Sequence, residues 1–236
     1  MIYITGDTHG RFERIRQFCW RMKTKKEDVL IILGDAGINY CLDALDEKVK
    51  TRLQRMPITL FCIHGNHEQR PECVAGYEEQ ELFGGMVYVQ PQYPNLLFAK
   101  DGEVYAFAGR KTIVIGGAYS VDKEYRFQMG FPWFQNEQPS EEIKQRVEAK
   151  LDEIGWQVDM VLSHTTPLKY EPREAFLPFI EQETVDKSTE QWLDRIEDRL
   201  DYRNWYCGHY HIQKRVDKVR FVYENYIALD RPVKDE

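Results

Sequence analysis

Short apolar runs recur along the chain, over residues 2–5, 29–33, 58–63, 158–162 and 205–207, and each closes on Gly, Asp, Asn or His. Runs of this length and composition predict buried strands. Between the early ones, helical spacing is expected over residues 11–22 and 42–55, so the first third alternates strand and helix as a parallel α/β sheet does. Residues 87–90, 96–99, 103–108 and 112–117 form closer runs separated by turn chemistry such as Asp101-Gly102, which predicts an antiparallel meander. Further helices are expected over 140–154, with Ser140 as N-cap, and from about 185 to 200, before terminal strands near 218–224. A mixed α/β (α+β) fold of two sheets flanked by helices accommodates this pattern.

Two stretches fit neither period. Residues 119–139 are too long for an ordinary connection and combine Lys123 and Arg126 with Trp133 and Phe134; residues 165–182 carry Pro167, Pro172 and Pro178, which break any helix. Both are expected to border a functional site.

At 236 residues the chain is expected to form one domain spanning 1–236. A net charge of −7 leaves no surplus of cations for a long phosphate backbone, which argues against extended nucleic acid as a partner. The basic cluster Arg21, Lys23, Lys25 and Lys26 falls where the first helix should end and reads as a solvated terminus. Five cysteines, odd in number and without a C-x-x-C pair, read as buried reduced thiols. No apolar run approaches the roughly 18 residues of a membrane helix and no signal-like segment opens the chain, so the cytoplasm is the expected compartment and no membrane is expected as a partner. Nothing in the pattern specifies an oligomer.

The chemistry lies at the ends of the strand-like runs. The blocks are Gly6-Asp7-Thr8-His9-Gly10, Gly34-Asp35-Ala36-Gly37, Gly65-Asn66-His67-Glu68, Ser163-His164 and Gly208-His209-Tyr210-His211. Each puts oxygen or nitrogen donors at a strand's carboxyl end, where turns converge on one crevice. Any one block alone could be an Asx turn or a structural histidine. Together they offer imidazoles, carboxylates and a carboxamide, a set suited to borderline divalent ions and not to a thiolate site. Seven such donors exceed what one ion takes from protein while keeping an open position, which points to two ions. A bridge between them must be a carboxylate, Asp7 or Asp35, because a neutral imidazole donates through one nitrogen to one ion. If the backbone stays extended through the turns, Asp7 and His9, or His209 and His211, fall on a common side.

These blocks, in this order and over nearly the whole chain, resemble those of the calcineurin-like metallophosphoesterases. The resemblance implies a double sheet flanked by helices, with Asp7, His9, Asp35 and His211 around one metal ion and Asp35, Asn66, His164 and His209 around the other, Asp35 being the bridge. It implies that a hydroxide activated between two divalent ions, drawn from Mn, Fe, Zn or Ni, attacks a phosphate ester, and that His67 stands over the substrate as an imidazolium that stabilises phosphoryl oxygens or protonates the leaving group.

The chain departs from the protein Ser/Thr phosphatases of that superfamily. Ile38 and Asn39 stand where those enzymes carry an Asp-Arg pair, and His64 stands where they carry an arginine, so both the guanidinium grip and the carboxylate that orients His67 are missing. Glu68 is a candidate for the second role or for a turn cap, and His64 reads as structural. The expected substrate is a small phosphorylated compound, a phosphodiester or phosphomonoester. A Ser/Thr phosphatase-like enzyme and a non-catalytic scaffold of the same fold are the alternatives. Lys123 and Arg126 are the candidate substrate grip, against the reading that they form exposed ion pairs with Asp122 or Glu124; Arg173 is the next candidate, and Trp133 and Phe134 could stack on a ring or pack in the core.

Overall fold

A computed structural model describes residues 1–230 of the chain. The apolar runs become the central strands of two sheets. In the first, β1 (Ile2–Thr5), β2 (Val29–Ile32), β3 (Thr59–Cys62) and β6 (Leu96–Ala99) run parallel. Their antiparallel neighbours are β13 (Ile227–Ala228) at one edge and β5 (Gly85–Val89) and β4 (Glu78–Leu82) at the other. In the second, β8 (Arg110–Ile115), β9 (Met160–Ser163), β10 (Asn204–Cys207) and β12 (Val219–Phe221) run parallel, flanked by antiparallel β7 (Val104–Phe107) and β11 (Lys214–Val216).

The unbroken apolar character of the central strands follows from burial on both faces. On β2, Val29 and Ile31 pack into the layer between the sheets, with Phe61, Phe107, Val114, Leu162 and Tyr206, while Leu30 and Ile32 meet Ile15 and Phe18 of α1 (Glu13–Met22) and Leu53 of α2 (Ala44–Leu53). The second sheet repeats the scheme. Ile113, Val161 and Trp205 pack on Val147 and Leu151 of α4 (Glu141–Glu153) and on Trp192, Leu193 and Ile196 of α5 (Ser188–Arg199). The result is a helix–sheet–sheet–helix sandwich, the fold class expected from the sequence.

Several local expectations are corrected. The four runs after residue 85 are not one meander: β5 and β6 stay in the first sheet, and the turn at Asp101-Gly102 carries the chain across to the β7–β8 hairpin of the second. Strand β4 escapes the sequence pattern because Glu78-Glu79-Gln80-Glu81-Leu82 has no apolar face; it is an edge strand, and its charges guard that edge against pairing with another chain. Of the cysteines, all free thiols, Cys19, Cys62 and Cys207 are buried as expected, but Cys41 and Cys73 lie outside the apolar runs and are exposed. Residues 119–139 also contain a short helix, α3 (Lys123–Met129), and α5 begins later than its sequence signal because Val185 is extended. Ser140 caps α4 as expected, its Oγ accepting the Ile143 N–H at 3.3 Å.

Parallel strands β1, β2 and β3 of one sheet and β8, β9 and β10 of the other bring their carboxyl ends to the same side of the sandwich, where backbone bonds knit the loops together: His9 N–H donates to Asp35 O (2.8 Å), Gly117 N–H to His64 O (2.8 Å) and Gly208 N–H to His164 O (2.9 Å). A buried ion pair reinforces the seam. Arg70, following β3, donates to Asp101 Oδ2 at 2.7 Å and to Asn136 O at 2.8 Å, while Asp101 Oδ1 accepts the Gly116 N–H at 2.6 Å. Removing one partner leaves the other charge buried and uncompensated, so Asp101→Ala should cost about 3–5 kcal/mol in urea unfolding. A loss below ~1 kcal/mol would show that the pair does not hold the seam.

Candidate metal centre

The donor blocks converge at this seam. Asp7, His9 and His211 form one group whose ligand atoms lie within 4.8 Å of one another; Asp7, Asp35 and His164 form a second, and His9, Asp35 and His67 a third. His9 Nε2 and His211 Nε2 are 2.9 Å apart, and His211 Nε2 is 3.2 Å from Asp7 Oδ2. Asn66 joins through Oδ1, 2.8 Å from His164 Nε2, and the half-buried His209 ring lies 5.0 Å from that of His164, though outside the three groups.

The convergence is not achieved by extended backbone, as the sequence reading supposed for Asp7 and His9 and for His209 and His211. His9 (φ 44°), Asp35 (φ 49°), His209 (φ 64°) and His211 (φ 53°) all take the left-handed conformation, turning each loop sharply back over the strand ends. The glycines at the strand ends make room for close approach. A Cβ on Gly65 would stand 2.1 Å from Asp35 Oδ1, and one on Gly208 would stand 2.3 Å from Asp7 Oδ1.

Groups around the donors hold them in place. The Arg14 guanidinium, from α1, donates to Gly6 O and Asp7 O, each at 2.9 Å, and clamps the first loop. His164 Nδ1–H donates to Leu33 O at 2.7 Å, which leaves Nε2 as the free lone pair facing the site. Asn66 Nδ2 donates to Ser120 Oγ at 2.8 Å, which turns its Oδ1 inward. Glu68 is fully buried and does not orient His67; its two oxygens accept the N–H groups of Ala36 and Gly65, each at 3.0 Å, stapling the second loop to the third. His64 is structural in the same sense: it is buried, burial pushes its imidazole well below the usual histidine range, and its carbonyl holds Gly117.

The electrostatics suit a cation. Burial opposes ionisation of Asp7 and Asp35, yet both carboxyls are held below the usual range: Asp7 by His211 and His164, Asp35 by the imidazoles of His164, His67 and His9 and by the His67 N–H at 2.8 Å. Burial lowers His9 and takes His209 down to about 3, so these rings are neutral; only His211 is raised, by its contact with Asp7. Two buried anions therefore face donor groups among which His9 and His209 supply no positive charge. Asp7 Oδ2, moreover, has no aligned hydrogen-bond donor. This donor set fits divalent metal.

Beside the centre, residues 119–139 supply a group the sequence reading treated only as a surface partner. Asp122 Oδ1 lies 3.7 Å from His67 Nε2, and Asp122 Oδ2 pairs with Arg126 Nε at 3.0 Å. Arg126 is buried, not exposed; it donates to Pro132 O at 2.8 Å, and its Nη2 lies against both ring nitrogens of His67, in closest contact with Nδ1. A guanidinium can only donate, so the His67 proton sits on Nε2. Burial and Arg126 lower the His67 pKa while Asp35 and Asp122 oppose them, so the free site favours the neutral ring over the imidazolium expected from sequence. Lys123 is placed differently, its ammonium 4.2 Å from the Trp133 ring centroid and outside the lining of either cleft that reaches His67. Trp133 donates to Glu137 at 2.8 Å, Phe134 is buried, and Arg173 sits in an exposed 3₁₀ turn. Residues 165–182, in three such turns with their neighbours, wall one of these clefts.

The family model of the calcineurin-like phosphoesterases matches residues 1–213, a span that includes every donor block. No curated protein matches the chain. No helix among the described residues is long and apolar enough to cross a membrane.

One wall residue makes the pH dependence of stability testable. Glu190 is buried, and burial pushes its carboxyl from the usual 4.5 to about 7 despite the Thr165 hydroxyl donating at 2.7 Å. Between these values the folded state binds the extra proton, so Glu190's share of stability is intact below about 4.5 and is lost as pH rises through about 7. Glu190→Gln should therefore gain thermal stability relative to wild type as pH is raised from 5 to 8, by up to a few kcal/mol. A difference between the two proteins that does not change with pH would contradict this.

Proposed function

The chain belongs to the calcineurin-like phosphoesterase family, whose chemistry is metal-dependent hydrolysis of phosphate esters, and on that premise we propose that it hydrolyses a small phosphomonoester or phosphodiester at a centre for two divalent cations. The observation that carries this reading is the position of Asp35. Its Oδ1 is 3.7 Å from His164 Nε2 and its Oδ2 is 3.7 Å from His9 Nε2, so one buried carboxylate offers an oxygen to each of two donor groups. Asp7, His9 and His211 would complete one metal position with Asp35; Asn66, His164 and His209 would complete the other. The mixed nitrogen and oxygen donors suit Mn, Fe, Zn or Ni. When bound, such ions supply Lewis acidity toward the phosphoryl oxygens and lower the pKa of water.

The protein's own part is to bind, orient and move a proton. His67 Nε2–H is the donor for the leaving oxygen or a non-bridging oxygen. Arg126 lies behind it, lining with His9 and His67 the second cleft that reaches the centre, and is the fixed cation available to the phosphate there. An anion entering beside Arg126 offsets the guanidinium and raises the proton affinity of His67, so the substrate itself prepares the acid. Asp122, with Oδ1 3.7 Å from His67 Nε2, adds negative charge beside the ring and favours its protonated form, while Glu68 faces the backbone. Ile38 and Asn39 are fully buried and offer no grip on a phosphoprotein, which favours small esters.

Two measurements test this. Adding Mn or Zn to chelator-stripped protein should raise its melting temperature, because the ion stabilises only the folded form, and Asp35→Asn should abolish most of that rise. An undiminished rise in the variant would remove Asp35 from the centre. His67→Ala should keep its metal by elemental analysis yet lose roughly 10²-fold or more in kcat on an aryl phosphate; loss of an ion instead would make His67 a ligand.

A further inference from the structure

The cleft on the other side of the centre has a volume of about 340 Å³ and is chemically divided. One end is the donor cluster, with His9, Asp35, Asn66, His67, His209 and His211 in its lining; the rest is walled mainly by Val121, Phe176, Leu177, Ile180, Val185 and Tyr210. No Lys or Arg is among its lining residues. The carboxylates in the wall are already engaged. Glu171 pairs with Lys187 at 2.8 Å, Asp186 accepts the Ser188 N–H and Gln138 Nε2, each at 2.9 Å, and Asp122 holds Arg126. Glu190 accepts the Thr165 hydroxyl at 2.7 Å. Lys187, whose ammonium lies 4.9 Å from the Phe176 ring centroid, is itself paired with Glu171, so a second anionic group on a substrate would have to compete with that carboxylate for it.

What the wall does offer is apolar surface still open to solvent. Leu177 is 45% exposed, Val121 is exposed, and Phe176 and Ile180 are half-buried, although all four face one cavity of a size typical for small-ligand sites. A segment folded only to close over its own core would bury these side chains.

We propose that the substrate is an amphiphilic phosphate ester, its phosphate held at the metal centre and an uncharged aliphatic or aromatic group buried against residues 175–185. This rests on the phosphoesterase reading above and adds to it the class of the organic group. The polar end of the cleft attracts the phosphate; the apolar end selects chiefly by burial, so it discriminates mainly by size and charge.

The test is a series of n-alkyl phosphates from ethyl to octyl, assayed by phosphate release with metal-loaded protein, beside a calorimetric titration of the matching n-alkylphosphonates, which cannot be hydrolysed. Burial of one methylene corresponds to about fourfold in affinity, so kcat/KM and phosphonate affinity should both climb by about that factor per carbon until the wall is covered. Leu177→Asp and Ile180→Asp, both on a surface turn, should flatten the climb by tenfold or more at octyl. Hydrolysis that is independent of chain length, or a preference for esters bearing a second phosphate or carboxylate, would overturn the inference while leaving the phosphoesterase reading intact. If no ester were turned over, that reading would fall, and the phosphonate titration would still decide the matter: affinity rising with chain length supports an apolar subsite, and flat affinity removes it.

Discussion

Two carboxylates kept ionised where water scarcely reaches set the terms for everything around them. Asp7 and Asp35 are each 2% exposed, and holding a bare carboxylate at such a depth costs several kcal/mol unless nearby groups compensate. The protein compensates partly, with the His67 and His209 N–H groups and with surrounding imidazoles, but burial keeps His9 and His209 neutral, and Arg14 spends its donors on main-chain oxygens and the Thr5 hydroxyl. The deficit is one of positive charge. A divalent cation is the group that removes it, so stability and chemistry depend on the same side chains.

Holding those side chains in register requires conformations that the chain would not adopt alone. Four donors sit at positive φ, a strain of order 1–3 kcal/mol for each non-glycine residue. The surrounding structure over-determines them: Glu68 staples the second and third loops, Arg14 clamps the first, and His164 reaches from the second sheet to the Leu33 carbonyl of the first. The centre is thus a seam between sheets. Neither half of the sandwich contains it.

Charge is laid out unevenly over the same molecule. A chain of net charge −7 folds around a centre whose own groups call for cations, so on the proposed reading a phosphate would be attracted only at short range, where bound cations, Arg126 and His67 would act in a poorly screened environment. A few ångströms away the side chains of Phe176, Leu177 and Ile180 are apolar. One ligand would meet Coulomb attraction at one end and apolar burial at the other.

The sequence by itself determined the layers and the donors. Strands buried on both faces must read as unbroken apolar runs, as residues 29–33 and 58–63 do, and donors at strand ends are legible because glycine, aspartate, asparagine and histidine interrupt those runs abruptly. Strand β4 was invisible because an edge strand needs no apolar face, and the crossing at Asp101-Gly102 was invisible because a turn within a sheet and a turn between sheets use the same residues. The tertiary structure alone decided which carboxylate stands beside His67. Glu68, next in sequence, points its oxygens at the backbone of two loops, whereas Asp122 comes from residues 119–139. It likewise decided that Arg126 faces His67 while Lys123 lies on Trp133, three residues apart on one short helix. Periodicity records which face of an element is buried against a core, but the direction of a side chain across a cleft depends on which distant loop supplies the opposite wall, and single-chain patterning carries no term for that.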